Sequence, residues 1–161
     1  MQFFTYLWTG EEFDGRKKNH PDWLLDFAAG NQFVERGVEE DDYVYVWSFI
    51  RGQLYLLGRM RVAGIYTQAE VKRLYSKIAE KYSFWAAEHI VAAPESIGET
   101  HFDLVVPTDV ISKLRFAGNM AAKQKDTPLQ NDFEPQTFRG VRRLMPTSAS
   151  LLDELLKEHR A

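Results

Sequence analysis

Between residues 37 and 65 the hydrophobic and polar positions follow a β-hairpin pattern: GVEEDDYVYVWSFIRGQLYLLGRMRVAGI. An acidic turn leads into an apolar strand, Arg51–Gly52 makes a tight turn, and a second strand follows. In the first strand a period of two puts Tyr43, Tyr45, Trp47 and Phe49 on one face and Val44, Val46, Ser48 and Ile50 on the other. A strand apolar on both faces is covered on both sides, as in a small closed barrel or the centre of a sandwich. Four aromatics on one face either fill such a core or line a slot for a flat ligand, and buried aromatics dominate cores in any case.

The rest of the chain reads as alternating elements. Residues 2–8 alternate like a strand, 10–18 form a polar loop, and 21–29 a short helix, with Pro21 in its first turn and Gly30 at its exit. The hairpin strands cover 42–50 and 53–63. Thr67-Gln-Ala-Glu70 is a capping box, which opens a helix with Val71, Leu74, Tyr75, Ile78 and Ala79 on one stripe. Strands are expected at 87–93 and 102–106, a helical turn at 107–112, a short strand at 114–116 and a last one at 138–144. A terminal helix over 147–159 turns Leu151, Leu152, Leu155 and Leu156 inward. Residues 117–135, with Gly118, Pro128 and Pro135, read as a long loop, and a loop of that length in a small domain is usually functional or disordered. No repeat or boundary divides the chain, so 1–161 reads as one domain.

Composition narrows the function classes. The 161 residues are 45% hydrophobic, enough for a sizeable core, and no apolar run approaches the roughly 20 residues of a membrane helix. The N-terminus has no basic region and no small-residue cleavage site, so it does not read as a signal peptide. With no cysteine there is neither a disulfide framework nor a thiolate metal site, and a cytoplasmic setting is expected. The net charge of −3 argues against a large nucleic-acid-wrapping surface but leaves room for a local basic groove. Basic residues gather at Arg16–Lys18, Arg59 and Arg61, Lys72–Lys81, Lys113–Arg115, Lys123–Lys125 and Arg139–Arg143, against an acidic run of Glu35, Glu39, Glu40, Asp41 and Asp42. Phosphate-loop, serine-hydrolase, zinc-protease and dinucleotide motifs are absent. The four histidines lack metal-ligand spacing, and His101 with Asp103 is only a weak acid–base pair. No metal, cofactor or catalytic residue is therefore expected.

The strand ending Phe4-Thr-Tyr-Leu-Trp, the turn Gly37-Val-Glu-Glu-Asp-Asp-Tyr-Val and the strand LYLLGRMRV resemble PUA-like domains of the EVE, YTH and ASCH group. So do Lys113-Leu-Arg-Phe and Val141-Arg-Arg-Leu-Met-Pro-Thr-Ser-Ala. Asp41 stands where that group favours glycine, and Trp8-Thr-Gly-Glu-Glu-Phe-Asp-Gly-Arg replaces the usual pocket elements of an EVE domain. The resemblance implies an α+β fold built as a small mixed β-barrel of five or six strands with flanking helices. It also implies a non-catalytic module that binds DNA or RNA and holds a modified base, for instance a methylated one, in an aromatic pocket. The residues matching that role are Trp8, Thr9, Trp47, Ser48 and Phe49 for the base, with Arg16, Lys113 and Arg115 for phosphates. A flipped base offers a flat face for stacking and a polar edge for hydrogen bonds, which suits this mixture. The alternatives are an ASCH-like ribonuclease using Lys, Arg and Tyr side chains, and a small-molecule or protein-interaction module on the same scaffold.

Overall fold

The structure is a computed structural model and describes residues 1–81, 86–117, 119–120 and 138–160. The expected loop at 117–135 lies almost wholly outside the described residues. The elements are β1 (Phe3–Trp8), α1 (Gly10–Asn19), β2 (Leu24–Leu25), β3 (Phe27–Gly30), β4 (Tyr43–Ile50), β5 (Gln53–Tyr66), α2 (Gln68–Leu74), α3 (Ser76–Lys81) and β6 (Glu88–Ala92). A short 3-10 turn (Pro94–Ser96) follows, then β7 (Gly98–Glu99), α4 (Thr108–Lys113), β8 (Arg115–Phe116), β9 (Asn119–Met120), β10 (Val141–Leu144) and α5 (Pro146–Arg160).

The class is α+β, but the closed barrel of five or six strands is not formed. Instead, an open mixed sheet runs in the order β3-β6-β5-β4-β1-β10-β8-β9, and β2 pairs with β7 in a separate ribbon. Among the described residues only β1 and β4 run parallel, in the register Phe3↔Tyr43 to Trp8↔Ser48. The sheet curls without closing because β3 ends after four residues, and residues 31–37 leave it as turns. Side chains bridge the gap where a barrel would have a ladder. The Tyr6 hydroxyl on β1 donates to the Ala29 carbonyl on β3, and Gln32 Oε1 accepts from the Val141 amide of β10 at 3.1 Å.

The expectation that β4 is covered on both faces holds, and two separate layers do the covering. Val44, Val46 and Ile50 enter a core with Phe4, Tyr6, Trp8, Phe13 and Phe33. Tyr45 and Trp47 enter a second core with Leu114, Phe116, Phe138, Leu152 and Leu156. The β4–β5 turn has Arg51 at φ 47° and Gly52 at φ 84°, the left-handed pair that a two-residue hairpin needs. Register shifts in β5 bend it, so that its first half pairs with β4 and its second half with β6. Gly58 lies at the first bend, and a Cβ there would stand 2.8 Å from Leu25 Cδ2 of β2. The ribbon therefore packs directly on the β5 backbone.

Four stretches depart from the sequence pattern. Residues 10–19 are helical rather than a loop, and 24–30 form β2 and β3 rather than a helix. The helix after Thr67 is broken at Tyr75 into α2 and α3, which leaves Leu74 exposed. Residues 102–106 are not a regular strand, although Leu104 and Val106 exchange backbone hydrogen bonds with Leu56 and Leu54. No described helix is long and apolar enough to cross a membrane.

Candidate functional site

The junction of β1 and α1 forms a cleft. Thr9 has extended backbone geometry and caps α1, its hydroxyl oxygen accepting the Glu12 amide at 3.1 Å. Tyr6, Leu7, Thr9, Glu11 and Glu12 line a space of about 400 Å³ there, within the range of small-ligand sites. The Tyr6 ring packs on Phe33 at a 5.1 Å centroid distance. Burial, followed by the charge of Glu12, pushes the Tyr6 hydroxyl well above its ordinary range, so it remains a neutral donor. Burial also raises the Glu12 carboxyl, against the pull of Arg16 one turn further along α1. Glu11 is exposed at the rim. Carboxylate oxygens accept from N–H donors, and a protonated carboxyl also offers one O–H. With the apolar surfaces of Tyr6 and Leu7 beside them, Glu11 and Glu12 suit a flat ligand carrying N–H groups on its edge. Two carboxyl groups in one cleft disfavour a phosphate there.

Beneath α1, Arg16 is 8% exposed and fills the space between two indoles. Its guanidinium carbon lies 5.0 Å from the Trp8 ring centre and 5.2 Å from that of Trp23, within cation–π distance of both. His20 stacks on Trp23 at 3.6 Å. Lys81 sits 5.3 Å from the same indole and pairs with Asp26 at 2.9 Å. This stack ties α1 and α3 to the segment before β2.

The structure divides the residues expected to hold a base. The β1–β4 register sets Trp8 beside Ser48 on one face and Leu7 beside Trp47 on the other. Trp8 (2% exposed) and Trp47 (0%) are thus in different cores, with the sheet between them. They do not face a common slot. Trp47 lies edge-on to Phe138 at 5.2 Å and to Phe116 at 6.1 Å, and Phe49 stacks on Phe138. The Ser48 hydroxyl donates to the Trp8 carbonyl at 2.9 Å. Of the five, Thr9 lines the cleft. Among the phosphate candidates, Arg16 is buried, and Arg115 Nη1 donates to the Ser112 and Leu114 carbonyls at 2.9 Å each. Lys113 is exposed at the end of α4. The buried His101 ring meets His159, and His159 Nε2 contacts Asp103 at 3.2 Å. Among the described residues no group of three or more His, Asp or Glu side chains could hold a metal ion.

Tyr6, Glu11 and Glu12 are functional candidates that the sequence pattern does not single out. A signal is present, since Thr9-x-x-Glu12 has the spacing of a helix-opening cap. It is masked because α1 buries only Phe13 and Arg16 and so shows no apolar stripe.

No family model and no curated protein matches this chain. Among solved structures, a hypothetical protein from Leishmania major is similar at a TM-score of 0.50. The likeness covers 100% of this chain and 98% of that one at 11% sequence identity. It shows a shared fold and nothing about activity.

Proposed function

We propose that this chain is a non-catalytic binding module for a nucleic acid, DNA or RNA, and that it takes a modified base into the cleft at the β1–α1 junction. The observation that carries this reading is the cleft itself, which sets two carboxyl groups and the Thr9 cap against the apolar surfaces of Tyr6 and Leu7. A base edge brings amino or imino N–H donors to Glu11 and Glu12. A methyl substituent adds apolar area, which the Tyr6–Leu7 side can cover. The same ligand class is implied by the resemblance to the EVE, YTH and ASCH group, without the barrel that the resemblance also implied. The lack of cysteine agrees with the cytoplasmic setting included in this proposal.

The test is equilibrium binding of matched oligonucleotides that differ at one base, unmodified, methylated or hydroxymethylated. One modified base should bind more tightly than its parent. Glu11→Ala and Glu12→Ala should each weaken that complex about tenfold, the equivalent of one charge-assisted hydrogen bond of ~1.5 kcal/mol. Affinity independent of base identity and modification across the panel would overturn the proposal.

A further inference from the structure

The three arginines of β5 and the β4–β5 turn are paired. Arg51 meets Asp14 at 3.5 Å, Arg59 meets Asp153 at 3.1 Å, and Arg61 contacts both Asp41 and Glu95. At β10 the pattern changes. Arg139 and Arg143 are exposed there, and Arg36 is exposed on the neighbouring turn. Among the described residues none of these three has an ion pair.

The backbone holds this group together. Gln32 accepts from the Val141 amide at 3.1 Å, and the Arg36 amide donates to the Gln32 carbonyl at 3.0 Å, so the 31–37 turn is fastened along β10. Gly140 makes that approach possible. Its φ is +70°, and a Cβ there would lie 2.3 Å from Gln32 Oε1. Arg142 packs its guanidinium 4.0 Å from the Phe116 ring centre, half-buried at the same edge. Burial and the nearby charge of Arg36 both hold Arg142 below the ordinary guanidinium range, so like charges are kept close together here.

This edge is also continuous with the cleft. The Leu7 amide donates to the Gly140 carbonyl at 3.2 Å, and Tyr6 pairs with Val141 in the β1–β10 ladder. Tyr6 and Leu7 both line the cleft. One side of Gly140 therefore leads to carboxyl groups and the other to guanidinium groups.

We propose that Arg36, Arg139 and Arg143, on β10 and the turns beside it, contact the phosphates flanking the base that enters the Tyr6–Glu12 cleft. This rests on the function proposed above and gives that ligand a direction across the surface. The carboxyl cleft excludes phosphate and receives the base, and the arginine edge receives the backbone. Arginine forks match phosphate oxygens in pairs, and the contact carries no sequence information.

The test is the salt dependence of oligonucleotide binding for the wild type, Arg36→Ala, Arg143→Ala and their double variant. Lys157→Ala, about three turns down α5 from its start at Pro146, is the charge control. All substituted side chains are exposed, and circular dichroism verifies folding. Each arginine variant should reduce the slope of log K against log salt by about 0.7 to 0.9 for every phosphate it no longer neutralises, with the modified-to-parent affinity ratio unchanged. Lys157→Ala should leave the slope as it is. Arginine variants with wild-type slopes would overturn this inference while leaving the base preference standing. If the slopes fall but no base preference exists, the edge is a phosphate surface and the cleft reading alone fails. Failure of every oligonucleotide to bind at about 50 mM salt, a concentration at which phosphate contacts are strong, would overturn both.

Discussion

Glu12 sits at the third position of α1, where the helix dipole favours a negative charge, yet burial overrides this and raises its carboxyl above the ordinary value of 4.5. The folded state therefore holds the Glu12 proton more tightly than the unfolded chain does. The resulting stabilisation is full below the unfolded value and is lost as pH rises through the folded one. Glu12→Gln, fixed in a neutral form, should match the wild type near pH 4 and become the more stable protein as pH rises toward 7. Urea unfolding at a series of pH values measures this. Trp47 and Gly140 make opposite points at the same scale. Trp47→Ala should cost about 3–5 kcal/mol by opening a cavity beside Phe116 and Phe138. Trp47→Phe should leave oligonucleotide affinity unchanged, since that indole is buried in the second core and does not line the cleft. Gly140→Ala, with left-handed φ and no room beside Gln32, should destabilise by about 1 kcal/mol or more and loosen the 31–37 turn from β10. Amide exchange at Val141 would detect the loosening.

At the scale of elements, the capping box at Thr67 is formed as its sequence indicates. Thr67 Oγ1 accepts from the Glu70 amide at 3.2 Å, and Glu70 Oε1 accepts from the Thr67 amide at 2.8 Å. Thr67→Ala should cost ~1 kcal/mol, read by thermal or urea unfolding. The hairpin, the cap and α5 are legible because each has a strong local signal: a period of two, a spaced Thr–Glu pair, and leucines at helical spacing. Residues 21–30 are not. HPDWLLDFAAG contains an apolar run too short to separate helix from strand by period, and β3 is set by its pairing with β6, far away in sequence. The α1 segment is hidden for the reverse reason, since it has a cap but almost no apolar face. Trp8 and Trp47 look like partners in the sequence because both are aromatic and lie in apolar strands. Only the parallel β1–β4 register reveals that they point to opposite sides.

Across the whole molecule, two cores meet on either side of β4, and α5 closes the second of them with Leu152 and Leu156. Tyr45 donates to Asp153 of α5 at 2.8 Å, and Arg59 reaches the same carboxylate at 3.1 Å, so β4, β5 and α5 are latched at one point. The β1–β10 ladder sets the β1–α1 cleft beside the start of β10, with the Leu7 amide on the Gly140 carbonyl. The most direct test of that arrangement is a map of backbone amide chemical shifts on titration with the preferred modified oligonucleotide. The largest changes should fall at Tyr6, Leu7, Thr9, Glu11 and Glu12, and then at Arg36, Arg139 and Arg143. Shifts concentrated instead around α2 and α3, or at the exposed end of α5, with the β1–α1 junction unmoved, would contradict the assignment of the cleft as the binding site.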